Sequence, residues 1–417
     1  MESLFIKGGH TLSGSIDVAA SKNAILPILA GSIMINGEVV IEKATLYSDV
    51  CYMLKILEEI GCKTNISGSD IYINSKNIDK CFVKEDYTKK VRSSIFMLGP
   101  LLSRMKKAVV AYPGGCNIGN RPIDLHLKGL ELLNVKIEEK HGYITCDGRN
   151  MRSGEVHLDF PSVGATENIM MASVFLKGRT TIYNAAREPE IIDLQNFLNS
   201  AGAKIYGAGT STIIIEGVKN LNSTEYKPIK DRIIAGTYLI ACAMAGGEIE
   251  LKKALPEYNG ALIYKLRQAG LKIDINKQDI RIQAKGRLKS INKIETQPYP
   301  GFPTDLQNQI LALQTISRGT SVIAENLFET RFKICNELIK MGADITTNSQ
   351  IAIIRGVSKL YGAGVVATDL RGGAGLVLAG LAAEGYTTIQ DIFHIDRGYK
   401  NIEEDLSKLN AEIRRIK

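Results

Sequence analysis

Tryptophan is absent from this chain of 417 residues, and no block of lysine or arginine with interleaved aromatics runs anywhere along it. The formal charge of +8 at pH 7 is therefore spread out, and an anionic small molecule accounts for it at least as well as nucleic acid does. Histidine is scarce, with five copies at positions 10, 126, 141, 157 and 394. None stand close enough together to suggest metal ligation. The seven cysteines, Cys51, Cys62, Cys81, Cys116, Cys146, Cys242 and Cys335, are odd in number and include no CxxC pair, which argues against a disulfide framework and against a zinc site. Long apolar runs are missing as well. The stretch 24–35 is broken by Pro27, Gly31 and Ser32, and 376–383 is far shorter than the roughly 20 residues that a membrane span requires. No membrane-spanning segment is expected. The opening MESLFIKGGHTLSG lacks the basic start, apolar core and small-residue cleavage site of a secretory signal, so a cytoplasmic location is expected. The remaining composition, 45% hydrophobic and 23% charged, is that of a globular protein long enough for two or three domains.

One unit recurs through this length. An amphipathic helical run ends in a Leu/Ile-containing turn, followed by Gly or Asn, a small or apolar residue, a charge and a strand. The copies centre on Gly61, Asn134, Gly202, Gly270, Gly342 and Asn410, at spacings of 73, 68, 68, 72 and 68 residues by subtraction of their positions. Gly and Asn best tolerate the left-handed conformation at a helix C-cap, so one physical cause explains their interchange. Strand-like segments follow each of the first five caps: IYINS (71–75), YITCD (143–147), STIIIEG (211–217), DIRIQAK (279–285) and AIIRG (352–356). Between the caps lie helices apolar nearly all round, over 23–35, 92–105, 165–178, 231–247, 305–319 and 369–385. Such helices are buried on every side. A period near 70 fits a small α/β unit used six times, and six units divide into two domains of three. The polar stretch 222–232, interrupted by Pro228, is the candidate hinge, with a second crossing near 18–22.

Charge recurs at one point of the unit. Lys22 and Asn23 precede the first apolar helix, Arg92 begins the second, Asp231 with Arg232 the fourth, Asp305 the fifth, and Asp369 with Arg371 the sixth. Arg121, Arg187 with Glu188, Glu329 with Arg331, and Asp396 with Arg397 are expected at the starts of the amphipathic helices. An aspartate there can simply cap the helix. A repeated arginine opposes the dipole and needs another reason, such as a multiply charged anion held between the domains. SVGATEN (162–168) adds a small-residue helix start suited to close approach of a phosphate. In YPGGCNIGNRPIDLH (112–126), Pro113, Gly114, Gly115 and Gly119 favour a flexible loop that carries Cys116 and Arg121. A cationic neighbour favours the thiolate; the bland alternative is a turn around an inert cysteine, and residue types alone leave both open.

The set SKN (21–23), PGGCNIGNRPIDLH (113–126), SVGAT (162–166), NAAREPEI (184–191), FPTDLQ (302–307), ENLFETRF (325–332), ATDLRGGA (367–374) and HIDRGY (394–399) closely resembles the enolpyruvyl transferases, in the branch whose acceptor is UDP-N-acetylglucosamine. The resemblance runs the length of the chain. It implies an α/β fold of two inside-out barrels, each of three βαβαββ-like units, with 20–229 as the domain carrying the Cys116 loop, 1–19 plus 230–417 as the other, and substrates in the cleft between them. It implies transfer of the enolpyruvyl group of phosphoenolpyruvate to the 3′-hydroxyl of the sugar, by addition and elimination with release of phosphate, as the opening step of peptidoglycan synthesis. Lys22, Arg121 and Arg397 match the family's phosphate contacts, with Asn23 beside them, and Arg331 with Arg371 its carboxylate clamp. Bidentate guanidinium geometry suits both anions. Asp305 matches the base and Cys116 the acid, which in the family forms a phosphoenolpyruvate adduct and is the target of fosfomycin. Catalysis thus falls to Cys116, Asp305, Lys22 and Arg397. Asn23, Arg92, Arg121, Pro122, Ile123, Asp124, Leu125, Ser162, Val163, Gly164, Asp305 and Leu327 match contacts to the nucleotide sugar. No metal or organic cofactor, no nucleic acid and no membrane span is implied; the partners are the two small-molecule substrates, with monomer or weak oligomer left open. Ser48 and Phe96 depart from the usual lysine and tryptophan, and Asn117 and Asn120 are bulkier than the usual loop residues. The rival readings are a shikimate-pathway enolpyruvyl transferase, which lacks the cysteine loop, and a silent nucleotide-sugar sensor.

Overall fold

The computed structural model describes residues 2–114 and 122–416. These fall into two compact units, one built from 2–19 and 230–416, the other from 20–114 and 122–229. Six four-stranded sheets share one plan. In the sheet of Lys107–Ala111, for example, that strand pairs in parallel with Phe82–Val83 and antiparallel with Tyr143–Asp147, which pairs antiparallel with Lys136–Lys140. Alternation follows from the pleat: in Tyr143–Asp147 the buried residues are Ile144 and Cys146, and in Asp70–Asn74 they are Ile71 and Ile73. Each unit is thus a cyclic set of three βαβαββ repeats whose ends are joined by strands distant in sequence. Ser3–Lys7 lies between Tyr386–Gln390 and Glu412–Ile416, antiparallel to both, and Leu12–Asp17 runs parallel beside Gly247–Lys252. In the other unit Thr224–Tyr226 runs parallel beside Glu38–Ile41.

The six cap positions all have positive φ: 106° at Gly61, 66° at Asn134, 105° at Gly202, 101° at Gly270, 93° at Gly342 and 69° at Asn410. The amides around them close the helix ends, as where Gly61 N–H donates to Glu58 O (3.1 Å) and Cys62 N–H to Leu57 O (2.9 Å). This pairing satisfies carbonyls that a helix end otherwise orphans.

The apolar helices are observed over Lys22–Ser32, Leu98–Met105, Val163–Ser173, Arg232–Ala245, Gln307–Ile316 and Leu370–Ala382. The last of these packs on both Gln307–Ile316 and Arg232–Ala245. Leu376, Val377, Leu378 and Leu381 are at most 2% exposed, each contributing about 2 kcal/mol through burial. Gly375 permits this packing: a Cβ there would stand 2.6 Å from Ile334 Cδ1 and 3.0 Å from Asn308 O. Two starts differ from the sequence expectation. Residues 92–97 and 304–306 form 3₁₀ turns before the α-helices begin at Leu98 and Gln307. Such turns are common where a helix starts or ends. Among the described residues, no helix is long and apolar enough to cross a membrane.

Candidate active site

Three aspartates at helix starts look equivalent in sequence and are not equivalent in structure. Asp231 Oδ1 accepts from the amides of Ile233 (2.9 Å) and Ile234 (3.0 Å), and Asp369 Oδ1 accepts from those of Arg371 and Gly372, both at 3.0 Å. Both are N-caps. Asp305 sits in the middle of the turn Thr304–Leu306, and its carboxylate faces side chains instead. Oδ1 accepts from Arg331 Nη2 at 2.7 Å and Oδ2 from Arg371 Nη2 at 2.8 Å.

Both guanidiniums are buried, each 3% exposed, so their charge must be met within the protein. For Arg371 burial pulls the pKa down, and Asp305, Tyr399 and Asp231 together more than reverse this, leaving it raised. Tyr399 is the hub behind it. Its hydroxyl accepts from Arg371 Nη1 (3.3 Å) and Gln309 Nε2 (3.3 Å) and meets Thr237 Oγ1 at 2.8 Å, while its ring centroid lies 5.7 Å from the Arg371 guanidinium. Gln309 Nε2 also donates to Asp305 O at 3.0 Å. The Arg331 guanidinium stands 5.1 Å from the centre of the Phe328 ring. Leu327 lies on the same segment, its amide donating to Glu325 Oε1 at 2.9 Å. Arg397 follows the helical turn Phe393–Asp396 rather than opening a helix, because Asn401, at φ 53°, breaks the chain before Ile402–Lys408 begins. A cation at a helix C-terminus is favoured by the dipole. Burial, then Arg397, draws the pKa of half-buried His394 below its usual value, against Asp369 and Asp391.

The other unit carries a second set. Lys22 opens the helix Lys22–Ser32 and is 8% exposed, its Nζ donating to Asp49 Oδ2 at 3.3 Å. Pro27, lying within that helix, cannot donate to the carbonyl of Asn23. Arg92 begins its 3₁₀ turn, half-buried. Pro122 is exposed, Ile123 buried and Leu125 half-buried, while Asp124 opens the helix Asp124–Leu132 and pairs with Lys128 at 3.8 Å. Ser162 caps the helix Val163–Ser173 by accepting from the Ala165 amide at 3.4 Å. A Cβ on Gly164 would stand 2.8 Å from His126 Cε1 and 3.3 Å from Phe96 Cε1, so packing by itself requires glycine there. The Asn168 amide is oriented by Gly99 N–H donating to its Oδ1 (2.8 Å) and by its Nδ2 donating to Ile95 O (3.0 Å). His126 Nδ1, 2.8 Å from Asn168 Nδ2, is consequently an acceptor, and the ring proton sits on Nε2, towards Gly164. Cys116 and Arg121 lie outside the described residues.

The family model described as EPSP synthase (3-phosphoshikimate 1-carboxyvinyltransferase) matches residues 6–406. The chain belongs to this enolpyruvyl transferase family. It is 52% identical, over 99% of both chains, to a UDP-N-acetylglucosamine 1-carboxyvinyltransferase 2 of Caldanaerobacter subterraneus subsp. tengcongensis. It is 48% identical, over 100% of this chain and 99% of the relative, to a UDP-N-acetylglucosamine 1-carboxyvinyltransferase 1 of Carboxydothermus hydrogenoformans. Among solved structures, the enolpyruvyl transferase NikO from Streptomyces tendae superposes with a TM-score of 0.89 at 21% identity, covering 99% of this chain and 98% of that one. An EPSP synthase from Acinetobacter baumannii reaches 0.76 at 17% identity over the whole of both chains.

In this member of the enolpyruvyl transferase family, the structure brings Asp305, Arg331 and Arg371 into one hydrogen-bonded cluster. The residues around these groups that were not singled out from sequence include Tyr399, Gln309, Glu325, Asn168, Asp49, Thr237 and Phe328. Glu325 and Tyr399 fall inside the family's segments ENLFETRF and HIDRGY, but only their hydrogen bonds mark them. Six cysteines other than Cys116 are unpaired. Burial pushes the thiols of Cys62, Cys146, Cys242 and Cys335 each up to about 12, so they are inert at neutral pH.

Proposed function

We propose that this chain transfers the enolpyruvyl group of phosphoenolpyruvate to the 3′-hydroxyl of UDP-N-acetylglucosamine, releasing phosphate. This is the opening reaction of peptidoglycan synthesis. The observation that carries the reading is the full-length identity of 52% to a relative of that name; the Asp305–Arg331–Arg371 cluster supplies chemistry to match. Arg331 and Arg371 take the carboxylate of phosphoenolpyruvate, while Lys22, Asn23, Arg121 and Arg397 take its phosphate. An incoming carboxylate competes with Asp305 for guanidinium N–H groups and frees an oxygen of Asp305. That oxygen then accepts the proton of the sugar hydroxyl as it attacks C2. Cys116 delivers a proton to the methylene carbon, giving a tetrahedral intermediate, and loss of a methyl proton with departure of phosphate restores the double bond. Arg92, Arg121, Pro122 to Leu125, Ser162 to Gly164 and Leu327 line the nucleotide sugar. The domain division at 19/20 and 229/230 is part of the same proposal.

The deciding experiment measures phosphate release with each substrate alone, with both, and with shikimate 3-phosphate replacing the nucleotide sugar. Release only with phosphoenolpyruvate and UDP-N-acetylglucosamine together is expected. Release with shikimate 3-phosphate overturns the acceptor, and tight binding of the nucleotide sugar with no release at all points to a sensor.

A further inference from the structure

Glu325 is a fully buried carboxylate just past the strand Thr320–Ala324, with 0% of its surface exposed. Burying a charged carboxylate is costly unless its oxygens are met. Both oxygens are used, on two different segments. Oε1 accepts from the backbone amides of Leu327 (2.9 Å) and Phe328 (3.1 Å), which shapes the segment leading to Arg331. Oε2 accepts from the hydroxyl of Thr304 at 2.9 Å, and Thr304 opens the turn that holds Asp305. A parallel tie lies one residue on. Asn326 N–H donates to Thr296 Oγ1 (2.9 Å) and its Nδ2 to Thr296 O (3.1 Å), on the strand side of the same 296–305 segment. The Glu325 amide is itself anchored to Gln350 O at 2.9 Å.

We infer that Glu325, through Thr304, is a positioning residue for enolpyruvyl transfer: it fixes the segment carrying Asp305 against the segment carrying Leu327 and Arg331. This rests on the functional reading above. Asp305 must both release Arg331 when the substrate carboxylate arrives and stay within hydrogen-bond reach of the sugar hydroxyl. A carboxylate on a free 3₁₀ turn would follow its guanidinium partners; one on a turn bolted to the next segment stays aimed. Displacements on the order of 1 Å in such groups cost rate rather than binding. Glu325 touches neither substrate in this account and acts only through Thr304 and the 326–328 backbone.

The test uses the full chain with Thr304→Val, which keeps the shape and removes the hydroxyl, and Thr304→Ser, which restores it. Thr304→Val is expected to lower kcat about tenfold, with KM for both substrates within about twofold and the thermal midpoint lowered by a few degrees through the unmet Glu325 oxygen, and Thr304→Ser to recover most of both losses. A second readout does not need the reaction: hydrogen exchange at residues 304–306 and 326–328 should accelerate together in Thr304→Val and not in Thr304→Ser. Wild-type kcat in Thr304→Val, KM rising in step with the fall in kcat, failure of serine to rescue, or exchange rising at 304–306 alone each overturns the inference. Wild-type protein that releases no phosphate from the two substrates overturns the functional reading instead, while joint exchange still reports whether the two segments are coupled.

Discussion

Replacing Asp193 by asparagine should stabilise the protein increasingly from about pH 5 upward, to a plateau above neutral pH, and have little effect below about pH 4. Asp193, on the helix Pro189–Ser200, is 1% exposed, and burial pushes its carboxyl up to about 7, with Glu190 adding to the rise. Two hydrogen bonds oppose the shift, from the Tyr226 hydroxyl to Oδ1 at 2.6 Å and from the Ile229 amide to Oδ2 at 3.1 Å. The folded pKa is above the unfolded value of 3.8, so the folded state holds a proton that the unfolded state has lost. The stability linked to this group is therefore complete below about pH 4 and falls as the pH rises through 7. At 1.36 kcal/mol per unit, the penalty is about 1.5 kcal/mol at pH 5, about 3 at pH 6, and levels near 4 above pH 7.5. Asparagine reproduces the neutral form. Its amide oxygen can accept from Ile229 while its NH₂ donates to the Tyr226 oxygen, because the Tyr226 hydroxyl has an alternative acceptor in Asp193 O at 3.1 Å. The assay is urea unfolding of wild type and Asp193→Asn from pH 4 to 8.5, taking the difference at each pH so that other titrations cancel. A difference that stays constant with pH, or that favours wild type increasingly in alkali, refutes the reasoning.

Glu167 has no exposed surface and neither oxygen has a hydrogen-bond partner; burial, then Glu190 and Glu188, raise its pKa well above the usual value. Stability tied to it is again lost as pH rises, so Glu167→Gln should gain on wild type with increasing pH, and a melting-temperature gap that does not widen between pH 6 and 9 counts against this. Arg371→Lys cannot span Asp305 and Tyr399 as the guanidinium does, and KM for phosphoenolpyruvate should rise about 10- to 100-fold with KM for the nucleotide sugar little changed; equal rises in both would remove Arg371 from the carboxylate clamp. Cys116→Ser should abolish phosphate release while leaving the circular dichroism spectrum and thermal midpoint intact, and full turnover in that variant ends the proposed acid role. At pH 8 iodoacetamide should leave Cys62, Cys146, Cys242 and Cys335 unmodified in the folded protein, which peptide mapping checks directly.

Local chemistry made the repeat legible. A helix C-cap at φ > 0 admits Gly and Asn and little else, so six such residues near a period of 70 announced six units before any contact was known, and φ values from 66° to 106° at those positions follow. Apolar helices and alternating strands were equally readable, because each depends on the spacing of residues along one element. Arg397 was harder to place, since the break that ends one helical turn before the next helix depends on Asn401 and not on the charge itself.

Asp231, Asp305 and Asp369 mark the boundary of what sequence determines. All three sit at the start of an apolar helix, and local rules make each a cap. Two are caps. Asp305 is not, because packing the helices Gln307–Ile316 and Leu370–Ala382 together brings Arg371 to one oxygen, and the segment held by Glu325 brings Arg331 to the other. These partners are 66 and 26 residues away along the chain. The pairing of Ser3–Lys7 with Glu412–Ile416 is longer-range still. The sequence by itself determined the units, their caps and the residues that resemble a known family. Which carboxylate caps a helix and which is held between two buried guanidiniums was decided by tertiary structure, since a charge takes its role from the partners that the fold delivers to it.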